Sequence, residues 1–509
     1  MTKETPVISM KNITKTFGKV VANEDVNLDV YAGEILSLLG ENGSGKTTLM
    51  NMLSGIYFPD KGQIFINGKE VSIESPKDAL DLHIGMVHQH FKLIDVLTAA
   101  ENIVLGLKGK LNLKEATAQI NGICEKYGFD IDPGKKIYDM SVSEKQTVEI
   151  VKVLYRGADI LILDEPTAVL TPQETEKLFN VVRNMKKDGK SIIIITHKMH
   201  EVEEISDRVA VLRKGRFIGD MITTETNAEE MTNMMVGRKV SLNINRPDPV
   251  NPKDRIRVEN LSVKGEGSVL KLKDVSFTAR SGEILGIAGI SGCGQKELLE
   301  AIAGLQKIES GKVTYIDDDG KEESLIGKRP QDITDMGVSL SFVPEDRLGM
   351  GLVGSMDLPA NMMLRSFRKG NAFFPDMKGP EELAEQVVKE LEVATPDIHT
   401  PVRRLSGGNV QKVLVGREIA LAPKVLMTAY AVRGLDINAS YTIYDLINRQ
   451  KKKGVAVIFV GEDLDVLLEL SDRILVLCGG EVSGIIDGRG ADKNTVGRMM
   501  TELHAGKEA

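Results

Sequence analysis

The sequence predicts an α/β fold that occurs twice along the chain. The segment AGEILSLLGENGSG at residues 32–45 recurs as SGEILGIAGISGCG at residues 281–294, an offset of 249. A second segment, ISDRVAVL at 205–212, recurs as LSDRILVL at 470–477, an offset of 265. Within each copy, short runs of β-branched residues alternate with longer helical patterns, which predicts a parallel sheet covered by helices. Two copies of so long a unit indicate a duplicated domain rather than a solenoid.

The length of 509 residues fits this duplication, because a single hydrophobic core rarely extends beyond about 250–300 residues. We predict a first domain over 1–240, a linker over 241–255 and a second domain over 256–509. The stretch RPDPVNPKD at 246–254 contains three prolines, which is typical of a linker. The second copy has 16 additional residues, and two surface-loop patterns are candidates for them, DDDGKEESLIG near Asp317 and RKGNAFFPDM near Arg368.

Composition and charge argue against a role in binding nucleic acid. The net charge is −8, Trp is absent and aromatic residues make up only 4% of the chain, so neither phosphate attraction nor base stacking is favoured. We interpret the lysines from Lys451 to Lys453 as a solvated helix end. The sequence MTKETPVISM lacks a signal-peptide core, and no run of about 18 apolar residues predicts a membrane span. The separated cysteines Cys124, Cys293 and Cys478 predict reduced thiols of a cytosolic protein.

A glycine-rich loop in the first half has the pattern G-x-x-x-x-G-K-[ST] at residues 40–47. It follows the apolar run ILSLL and precedes the helical pattern TTLMNMLSGI, the strand–loop–helix order that this motif requires. Glycines let backbone N–H groups surround phosphate oxygens, and the helix start adds a favourable dipole. In this interpretation Lys46 neutralises the β- and γ-phosphates and Thr47 is a ligand of Mg²⁺. The predicted phosphate-binding residues are Gly40, Asn42, Gly43, Gly45, Lys46, Thr47 and Thr48.

Two adjacent carboxylates end the apolar run ILILDEPT at residues 160–167. Taken alone, such a pair is equally compatible with a solvated turn. Because it follows a phosphate loop, we interpret Asp164 as holding Mg²⁺, through water, and Glu165 as the base that polarises the attacking water. His197 ends the run SIIIITH, and its position at a strand terminus favours a γ-phosphate contact over a structural role. The neutral amide of Gln89 is suited to bridging Mg²⁺ and the attacking water.

These residues together resemble the ABC ATPase family, and the second half contributes the most diagnostic element. Residues 405–409 read LSGGN, close to the family signature LSGGQ, and open the helical pattern VQKVLVGREIALA. A serine hydroxyl and glycine N–H groups at a helix start form an anion cradle. The resemblance covers nearly the whole chain. It implies ATP and Mg²⁺ as ligands of two tandem phosphate-loop domains, each with a mainly parallel sheet core, an antiparallel β part and a helical subdomain.

The resemblance also implies residue roles. By the family pattern, Phe17 would stack on adenine and His197 would be the switch histidine. The residues that would cap ATP bound to the opposite domain are Ser406, Gly407, Gly408 and, in the D-loop, Asp436.

A closer resemblance is to the fused double-domain subunits of importers for nucleosides and simple sugars. It rests on HQHFKLIDVLTAAENIVLG, YRGADILILDEPTAVLTPQE and TAYAVRGLDI, which look most like the nucleoside-uptake branch, with ribose and galactose importers as near neighbours. The implied partners are polytopic membrane permease subunits, gripped through Phe91 to Leu105, and indirectly an extracytoplasmic solute-binding protein. No nucleic acid is expected. The implied location is the cytoplasmic face of the cell membrane, as a peripheral subunit.

Aligning the two halves predicts that the catalytic residues are unequally distributed. In the second half Lys46, Thr47, Gln89, Asp164, Glu165 and His197 are replaced by Gln295, Lys296, Glu345, Ala429, Tyr430 and Glu462, and Phe17 falls near Gly265. The signature shows the reverse pattern, because the first half reads MSVSE at 140–144, without either glycine. There Glu144 would set a negative charge near a polyphosphate. At the D-loop position the first half carries Thr171.

These two sets of losses are complementary. In a head-to-tail pairing, the first-half motifs and the second-half signature complete one composite site, whereas the other site is defective on both faces. We therefore predict one hydrolytic site per chain, with random decay as the alternative. The sequence is equally compatible with a second site that holds nucleotide and with one that does not.

Two other functions stay open at this point. A soluble double-ABC protein acting on ribosomes or DNA is the second interpretation, although such proteins often carry charged linkers, coiled coils or basic extensions, and none appears in this acidic sequence. A nucleotide-gated binding module without turnover is the third. The cargo of a transporter is not encoded here, since selectivity in such systems lies in the permease and the binding protein.

Overall fold

A computed structural model describes residues 5–18, 20–89, 91–107, 112–168, 170–237, 244–265, 269–290, 292–342, 351–364, 376–420, 423–432, 435, 437–461 and 463–503. The chain divides into two compact units, Met1–Ser241 and Leu242–Ala509. The described part of each unit contains a six-stranded, mainly parallel sheet, a four-stranded antiparallel sheet and flanking helices. The prediction of a duplicated α/β fold is therefore confirmed.

Strands and helices alternate along the first unit. In chain order they are β1 (Ile8–Phe17), β2 (Val20–Val30), β3 (Ile35–Leu39), α1 (Lys46–Leu53), β4 (Lys61–Ile66), β5 (Lys69–Val71), α2 (Pro76–Asp81), β6 (Ile84–Val87), α3 (Ala99–Val104), α4 (Leu113–Tyr127), α5 (Val142–Tyr155), β7 (Ile160–Asp164), α6 (Pro172–Lys187), β8 (Ser191–Ile195), α7 (Met199–Ile205), β9 (Arg208–Arg213), β10 (Arg216–Ile222) and α8 (Ala228–Val236).

The second unit repeats this order. Its elements are β11 (Asp254–Lys264), β12 (Leu270–Arg280), β13 (Ile284–Gly289), α9 (Gln295–Ile302), β14 (Ile308–Ile316), β15 (Glu322–Ser324), α10 (Pro330–Asp335), β16 (Val338–Phe342), α11 (Leu358–Met363), α12 (Lys378–Glu390), α13 (Gly407–Ala420), β17 (Val425–Ala429), α14 (Ile437–Lys452), β18 (Ala456–Val460), α15 (Leu464–Leu470), β19 (Arg473–Cys478), β20 (Glu481–Asp487) and α16 (Lys493–Thr501).

The strand order of the first large sheet positions the candidate site. The order is β10-β9-β3-β8-β7-β6, in which every pair is parallel except β10 with β9. The second large sheet has the matching order β20-β19-β13-β18-β17-β16. Because parallel strands end at the same edge of a sheet, the segments that follow β3, β8 and β7 lie side by side. All five residues of each of these three strands are buried, as expected for strands covered on both faces.

A helical part packs around its own apolar cluster in the first unit, as the resemblance implied. Helices α3, α4 and α5 contribute to this cluster, which includes Ile103, Ile120 and Val148. Buried Asn102 anchors the segment that precedes α3: its Oδ1 accepts from the Ile94 N–H at 2.8 Å and its Nδ2 donates to the Ile94 carbonyl at 3.1 Å. In the second unit Asn361 makes the same pair of bonds to Val353: its Oδ1 accepts from the Val353 N–H at 2.8 Å and its Nδ2 donates to the Val353 carbonyl at 3.1 Å.

The segment predicted as a linker is attached to the second unit. Residues 244–253 form no helix or strand, and β11 begins at Asp254, two residues before the predicted second domain. Arg246 donates to the carbonyl of Leu468 at 3.0 Å, the Pro247 carbonyl accepts from Lys451, and Asp248 pairs with Arg489 at 2.5 Å.

The expectation of a solvated helix end at Lys451 to Lys453 is wrong for Lys451, although Lys452 and Lys453 are exposed. Its side chain is only 1% exposed, and its Nζ lies 2.7 Å from Oδ1 of the buried Asp472. The equivalent pair of the first unit, Lys186 with Asp207, has side chains that are 37% and 41% exposed. The difference arises because the segment 246–248 bonds to the Lys451 side chain and shields the second pair from solvent.

This contrast makes a testable prediction about stability. We expect Lys451→Ala to lower the free energy of unfolding of the second unit by about 3 kcal/mol, because it leaves the Asp472 carboxylate buried without its cation. The matched change Lys186→Ala is expected to cost under about 1 kcal/mol, because an exposed pair is screened by water. Hydrogen exchange of amides in each unit, recorded along a urea titration, measures the free energy of unfolding of both variants. Equal losses in the two variants would contradict this account.

Candidate active site

The glycine-rich loop at residues 40–47 connects β3 to α1 and depends on its glycines. Gly43 and Gly45 have φ values of +80° and +94°, which side chains other than glycine rarely adopt. A Cβ atom at Gly45 would lie 2.4 Å from the carbonyl oxygen of Ala22, and one at Gly40 would lie 2.3 Å from Ser44 Oγ. The loop therefore forms a tight backbone turn immediately before a helix N-terminus.

Lys46 is buried at the start of α1 and folds back over this loop. Its Nζ donates to the carbonyls of Gly40 and Glu41 at 2.7 and 3.0 Å. Burial lowers the pKa of Lys46, although the charges of Glu165 and Asp164 act in the opposite direction. Because carbonyl dipoles replace water poorly around a buried ammonium, an anion would be a favourable additional partner.

The carboxylate of Asp164 occupies the end of β7 and is almost fully buried. Burial, followed by the neighbouring charge of Glu165, raises its pKa to about 6. A hydrogen bond with the Thr47 side chain and the charge of Lys46 only partly offset this shift. A carboxylate in such surroundings gains stability from a bound cation.

Glu165 is held between two other predicted catalytic side chains. Gln89 Nε2 donates to Glu165 Oε2 at 2.9 Å, and His197 Nδ1 lies 3.1 Å from Glu165 Oε1. Burial acts to raise the pKa of Glu165, but the hydrogen bond with His197 and the charges of His197, Lys46 and Lys198 outweigh it, so the net pKa is lowered. The backbone of Glu165 has φ of +46°, a sparsely populated conformation that projects a side chain from a strand end. The carboxylate is thus kept ionised and oriented.

The residues present fit a magnesium–triphosphate ligand. Buried Ser44 Oγ has no hydrogen-bond partner within the described structure, so the loop has an unused polar atom. Among the described residues, no group of three or more His, Cys, Asp or Glu side chains is placed to hold a metal by itself. Mg²⁺ is commonly held by one or two carboxylates together with phosphates and water, and Asp164 with the neutral side chains of Thr47 and Gln89 is compatible with that ligand set.

The side chain of Phe17 lies on the surface at the end of β1. It is 43% exposed and makes an edge contact with Tyr57, with ring centroids 5.1 Å apart. The sequence analysis missed Tyr57, whose signal was its place in the exposed apolar stretch at residues 56–58. A half-exposed ring supported by a second ring is a suitable platform for a nucleobase.

The signature segment of the second unit lies at the start of α13, with Ser406 and Gly407 exposed. Asn409 Nδ2 donates to Ser406 Oγ at 2.9 Å, while Asn409 Oδ1 accepts from the Ala394 N–H at 3.0 Å. Gly408 leaves space around its backbone, since the nearest contact of an added Cβ is 4.0 Å away. Asp436 lies outside the described residues.

The first unit closes its equivalent helix start with its own side chains. Ser141 and Glu144 form a reciprocal capping box at the start of α5. Lys135 Nζ binds both carboxylate oxygens of Glu144, at 2.7 and 2.9 Å. Glu144 therefore serves this local cap, and a helix start filled by an internal carboxylate is a poor anion site.

The second unit keeps the loop backbone without the charge. Gly292 and Gly294 have φ of +87° and +99°, close to the values of the first loop. Buried Gln295 stands where the first unit has Lys46, and its Nε2 donates to the Ile290 carbonyl at 3.2 Å, as Lys46 does to the carbonyl of Glu41. Tyr430 adopts φ of +57° at the position of Glu165. Glu345 and Glu462 lie outside the described residues.

One structural link between motifs was not anticipated. Gln146 on α5 donates through Nε2 to the carbonyl of Pro166, next to Glu165. In the second unit Gln411 on α13 donates to the Ala431 carbonyl at 2.9 Å. The available signal was a glutamine five residues after each signature serine in both halves.

Comparison with known proteins places these features in a family. A model described as ABC transporter matches residues 23–168 and 272–428. The chain is 42% identical over 508 residues to the nucleoside import ATP-binding protein NupA of Lactococcus lactis subsp. cremoris, covering 98% of this chain and 99% of that protein. It is 42% identical over 511 residues to the guanosine import ATP-binding protein NupO of Bacillus subtilis, covering 98% and 99%. It is 36% identical over 507 residues to the ribose import ATP-binding protein RbsA 2 of Escherichia coli O157:H7, covering 98% of each.

A solved structure extends the comparison of fold. The crystal structure of an archaeal ribosome recycling factor in complex with a ribosomal stalk protein matches 94% of this chain and 90% of its own chain, with a TM-score of 0.60 and 18% identity. This likeness shows the double-domain fold alone.

The raised pKa of Asp164 predicts how stability depends on pH. The folded protein holds this proton more tightly than the unfolded chain, so the contribution of Asp164 is fully present below about pH 4 and is lost as the pH rises through about 6. We expect Asp164→Asn to be more stable than wild type at pH 7.5 by about 3 kcal/mol, and nearly equally stable near pH 4. Chemical unfolding without nucleotide or Mg²⁺ measures both values.

The control is Asp159→Asn, which changes an exposed carboxylate just before the same strand. We expect it to give no comparable rise in stability. A stability difference for Asp164→Asn that stayed constant from pH 4 to 7.5 would contradict the shifted ionisation.

Proposed function

Since the chain belongs to the ABC transporter family, we propose that it is the ATP-binding and ATP-hydrolysing subunit of a membrane importer for nucleosides or simple sugars. The observation that carries the enzymatic part is the arrangement around Glu165, an ionised carboxylate fixed by Gln89 and His197 beside Lys46. The nucleoside part is supported by the relatives named for nucleoside and guanosine import, at 42% identity over 98% of this chain.

In this proposal the first unit binds the triphosphate of ATP. Backbone N–H groups of the loop at 40–47 and the N-terminus of α1 receive phosphate oxygens, and the Lys46 ammonium exchanges carbonyl partners for phosphate. Bound Mg²⁺ supplies charge neutralisation between the β- and γ-phosphates. Thr47, Asp164 and Gln89 are the side chains that would hold it. Phe17 and Tyr57 give the base an aromatic platform.

In this proposal, hydrolysis depends on the orientation and polarisation of one water molecule by Glu165. Each of its oxygens accepts one hydrogen bond from a neighbour and retains a lone pair for a water proton. The carboxylate orients and polarises that water toward the γ-phosphorus. His197 uses Nδ1 toward Glu165, which makes Nε2 the atom for a γ-phosphate contact.

The proposed competent site also uses the second unit. Its Ser406, Gly407 and Gly408 are exposed or half-buried at a helix start and are not closed by an internal carboxylate, unlike the corresponding residues of the first unit. With Asp436 they would cap the ATP that the first unit holds. The chain would then have one hydrolytic site, and the neutral Gln295 together with Tyr430 would leave the second loop without turnover. The domain assignment, 1–240 and 256–509 around a linker at 241–255, belongs to this proposal.

The proposed membrane partner docks on the segment from Phe91 to Leu105. Ile94, Val96 and Leu105 are exposed apolar residues on this segment, with Val96 as much as 66% exposed. Buried Asn102 fixes the backbone of this segment through its two hydrogen bonds to Ile94. A rigid apolar surface fits a helix of a polytopic permease on the cytoplasmic face of the membrane. An extracytoplasmic solute-binding protein would act indirectly, through the permease.

None of the helices in the described part of the chain combines the length and apolar character needed to cross a bilayer. The soluble double-ABC alternative has one point in its favour, the fold shared with the ribosome recycling factor. The acidic charge and the importer relatives favour transport over this alternative. Co-purification with a polytopic membrane protein supports transport, whereas co-sedimentation with ribosomes would favour the alternative.

The base assignment makes a direct prediction. We expect Glu165→Gln to lower the ATP turnover number by a factor of about 10² or more, because the neutral amide cannot polarise water, while ATP affinity changes little. In cells lacking the native subunit, the wild-type chain is expected to restore uptake of labelled nucleoside and the variant is not. Equal turnover in variant and wild type would reject Glu165 as the base, and loss of neither nucleoside nor ribose uptake would reject the proposed cargo class.

The composite site predicts unequal effects of two matched serines. We expect Ser406→Ala to lower the ATP turnover number about tenfold, because it removes a hydroxyl that contacts phosphate in the closed state. Ser141→Ala is expected to leave turnover within a factor of about 2, although it removes an N-cap worth about 1 kcal/mol of stability. Steady-state ATPase assays and thermal unfolding of both variants give the comparison. A larger loss of turnover in Ser141→Ala would overturn the proposed pairing.

A further inference from the structure

A buried carboxylate close to the candidate active site has not yet been given a role. Glu201 lies on α7, four residues after His197, and is only 2% exposed. A carboxylate is rarely buried so completely without charged or hydrogen-bonding partners. Its partners therefore indicate what it is used for.

Glu201 binds both loops that carry the catalytic side chains. Its Oε1 accepts from the Thr167 hydroxyl, two residues after Glu165. Its Oε2 accepts from the Thr196 hydroxyl at 3.2 Å, one residue before His197. One carboxylate thus joins the segment after β7 to the segment after β8.

Lys198 completes this network from the other side of His197. Its Nζ lies 3.1 Å from Glu201 Oε1 and donates to the Thr167 carbonyl at 3.2 Å. Its backbone N–H donates to Thr196 Oγ1 at 3.1 Å, which closes a tight turn around His197. The residues on both sides of His197 are therefore fixed to the segment that carries Glu165.

The second unit supplies an internal comparison. Thr167, Thr196, Lys198 and Glu201 correspond to Val432, Gly461, Asp463 and Val466. There Val432 and Val466 pack against the apolar core, and Asp463 caps α15. The same fold therefore forms without the network. The four network residues are present in the unit that has Glu165 and His197, and each is replaced by a different residue type in the unit that has neither.

We propose that Glu201, acting with Thr167, Thr196 and Lys198, is a positioning residue that holds His197 against Glu165 for ATP hydrolysis. It touches neither the nucleotide nor the attacking water. The bond between His197 Nδ1 and Glu165 Oε1 joins the tips of two loops, and a displacement of about 1 Å at either tip is enough to reduce turnover strongly. This inference rests on the proposed ATPase function and deepens it.

The test replaces the buried polar pair with the residues that the second unit itself uses. In the full-length chain, Thr167→Val with Glu201→Val reproduces the pair Val432 and Val466. We expect this double variant to keep a Tm within a few degrees of wild type and an ATP affinity within about threefold. Apolar packing replaces the hydrogen bonds, and the Lys198 side chain, which is 24% exposed, keeps access to water. We expect its turnover number to fall about tenfold or more. A merely structural role would not separate turnover from stability and affinity in this way.

Two further variants keep the result interpretable. Glu201→Gln keeps the shape and one acceptor oxygen, and we expect its turnover number to fall about threefold to tenfold, whether or not the double variant folds. Glu203→Gln changes an exposed carboxylate of the same helix and is expected to leave turnover unchanged. Wild-type turnover in either the folded double variant or Glu201→Gln would overturn the proposal. If Glu165→Gln lowers turnover while the Glu201 variants do not, the positioning role fails and the ATPase function stands.

Discussion

The burial of charged side chains at one edge of a parallel sheet is the constraint on which the candidate site depends. Lys46 and Asp164 are almost fully buried, and the Glu165 side chain is 16% exposed. The charges of Lys46 and Asp164 shift each other's pKa, and the charge of Glu165 shifts both. The arrangement is incomplete by itself, because Asp164 gains by keeping a proton and, among the described residues, the hydrogen bonds of the Lys46 ammonium go to carbonyls of the loop. Both deficits would be resolved if Asp164 held the magnesium and Lys46 the phosphates of a magnesium–triphosphate. Affinity for the ligand and local instability of the empty site therefore have one electrostatic origin.

The parallel sheet is what allows these charges to meet. Strands β3, β7 and β8 are wholly buried and end at one edge, so residues separated by more than a hundred positions in the chain become neighbours. The second unit has the same sheet and the same tight glycine turns, yet it carries Gln295, Ala429 and Tyr430 at the corresponding positions. The fold consequently tolerates complete loss of the charges. What the first unit preserves is the chemistry of the site, since the scaffold does not need it.

The two units differ in whether the N-terminus of the helix after the signature segment is free to bind an anion. Glu144 and Lys135 close the helix start of α5 with their own side chains. In the described part of the chain, Ser406 at the start of α13 is exposed and its hydroxyl accepts a hydrogen bond from the neutral Asn409. The exposed helix start retains its capacity for an anion. The unequal distribution of motif residues between the halves thus appears in the contacts of each unit as well as in the sequence.

The sequence by itself determined the duplicated α/β fold, the family and the residue types of both loops and of the signature, because glycine turns, buried strand runs and short motifs are local in the chain. It did not show that Lys451 is buried, since only the packing of residues 246–248 onto the second unit excludes solvent there. Nor did it single out Glu201, Tyr57 or the paired glutamines Gln146 and Gln411. Such contacts join residues that are distant in the chain or on different elements, and only tertiary structure decides which of them meet. The local pattern fixed what chemistry was available, and the fold decided which side chains hold it in place.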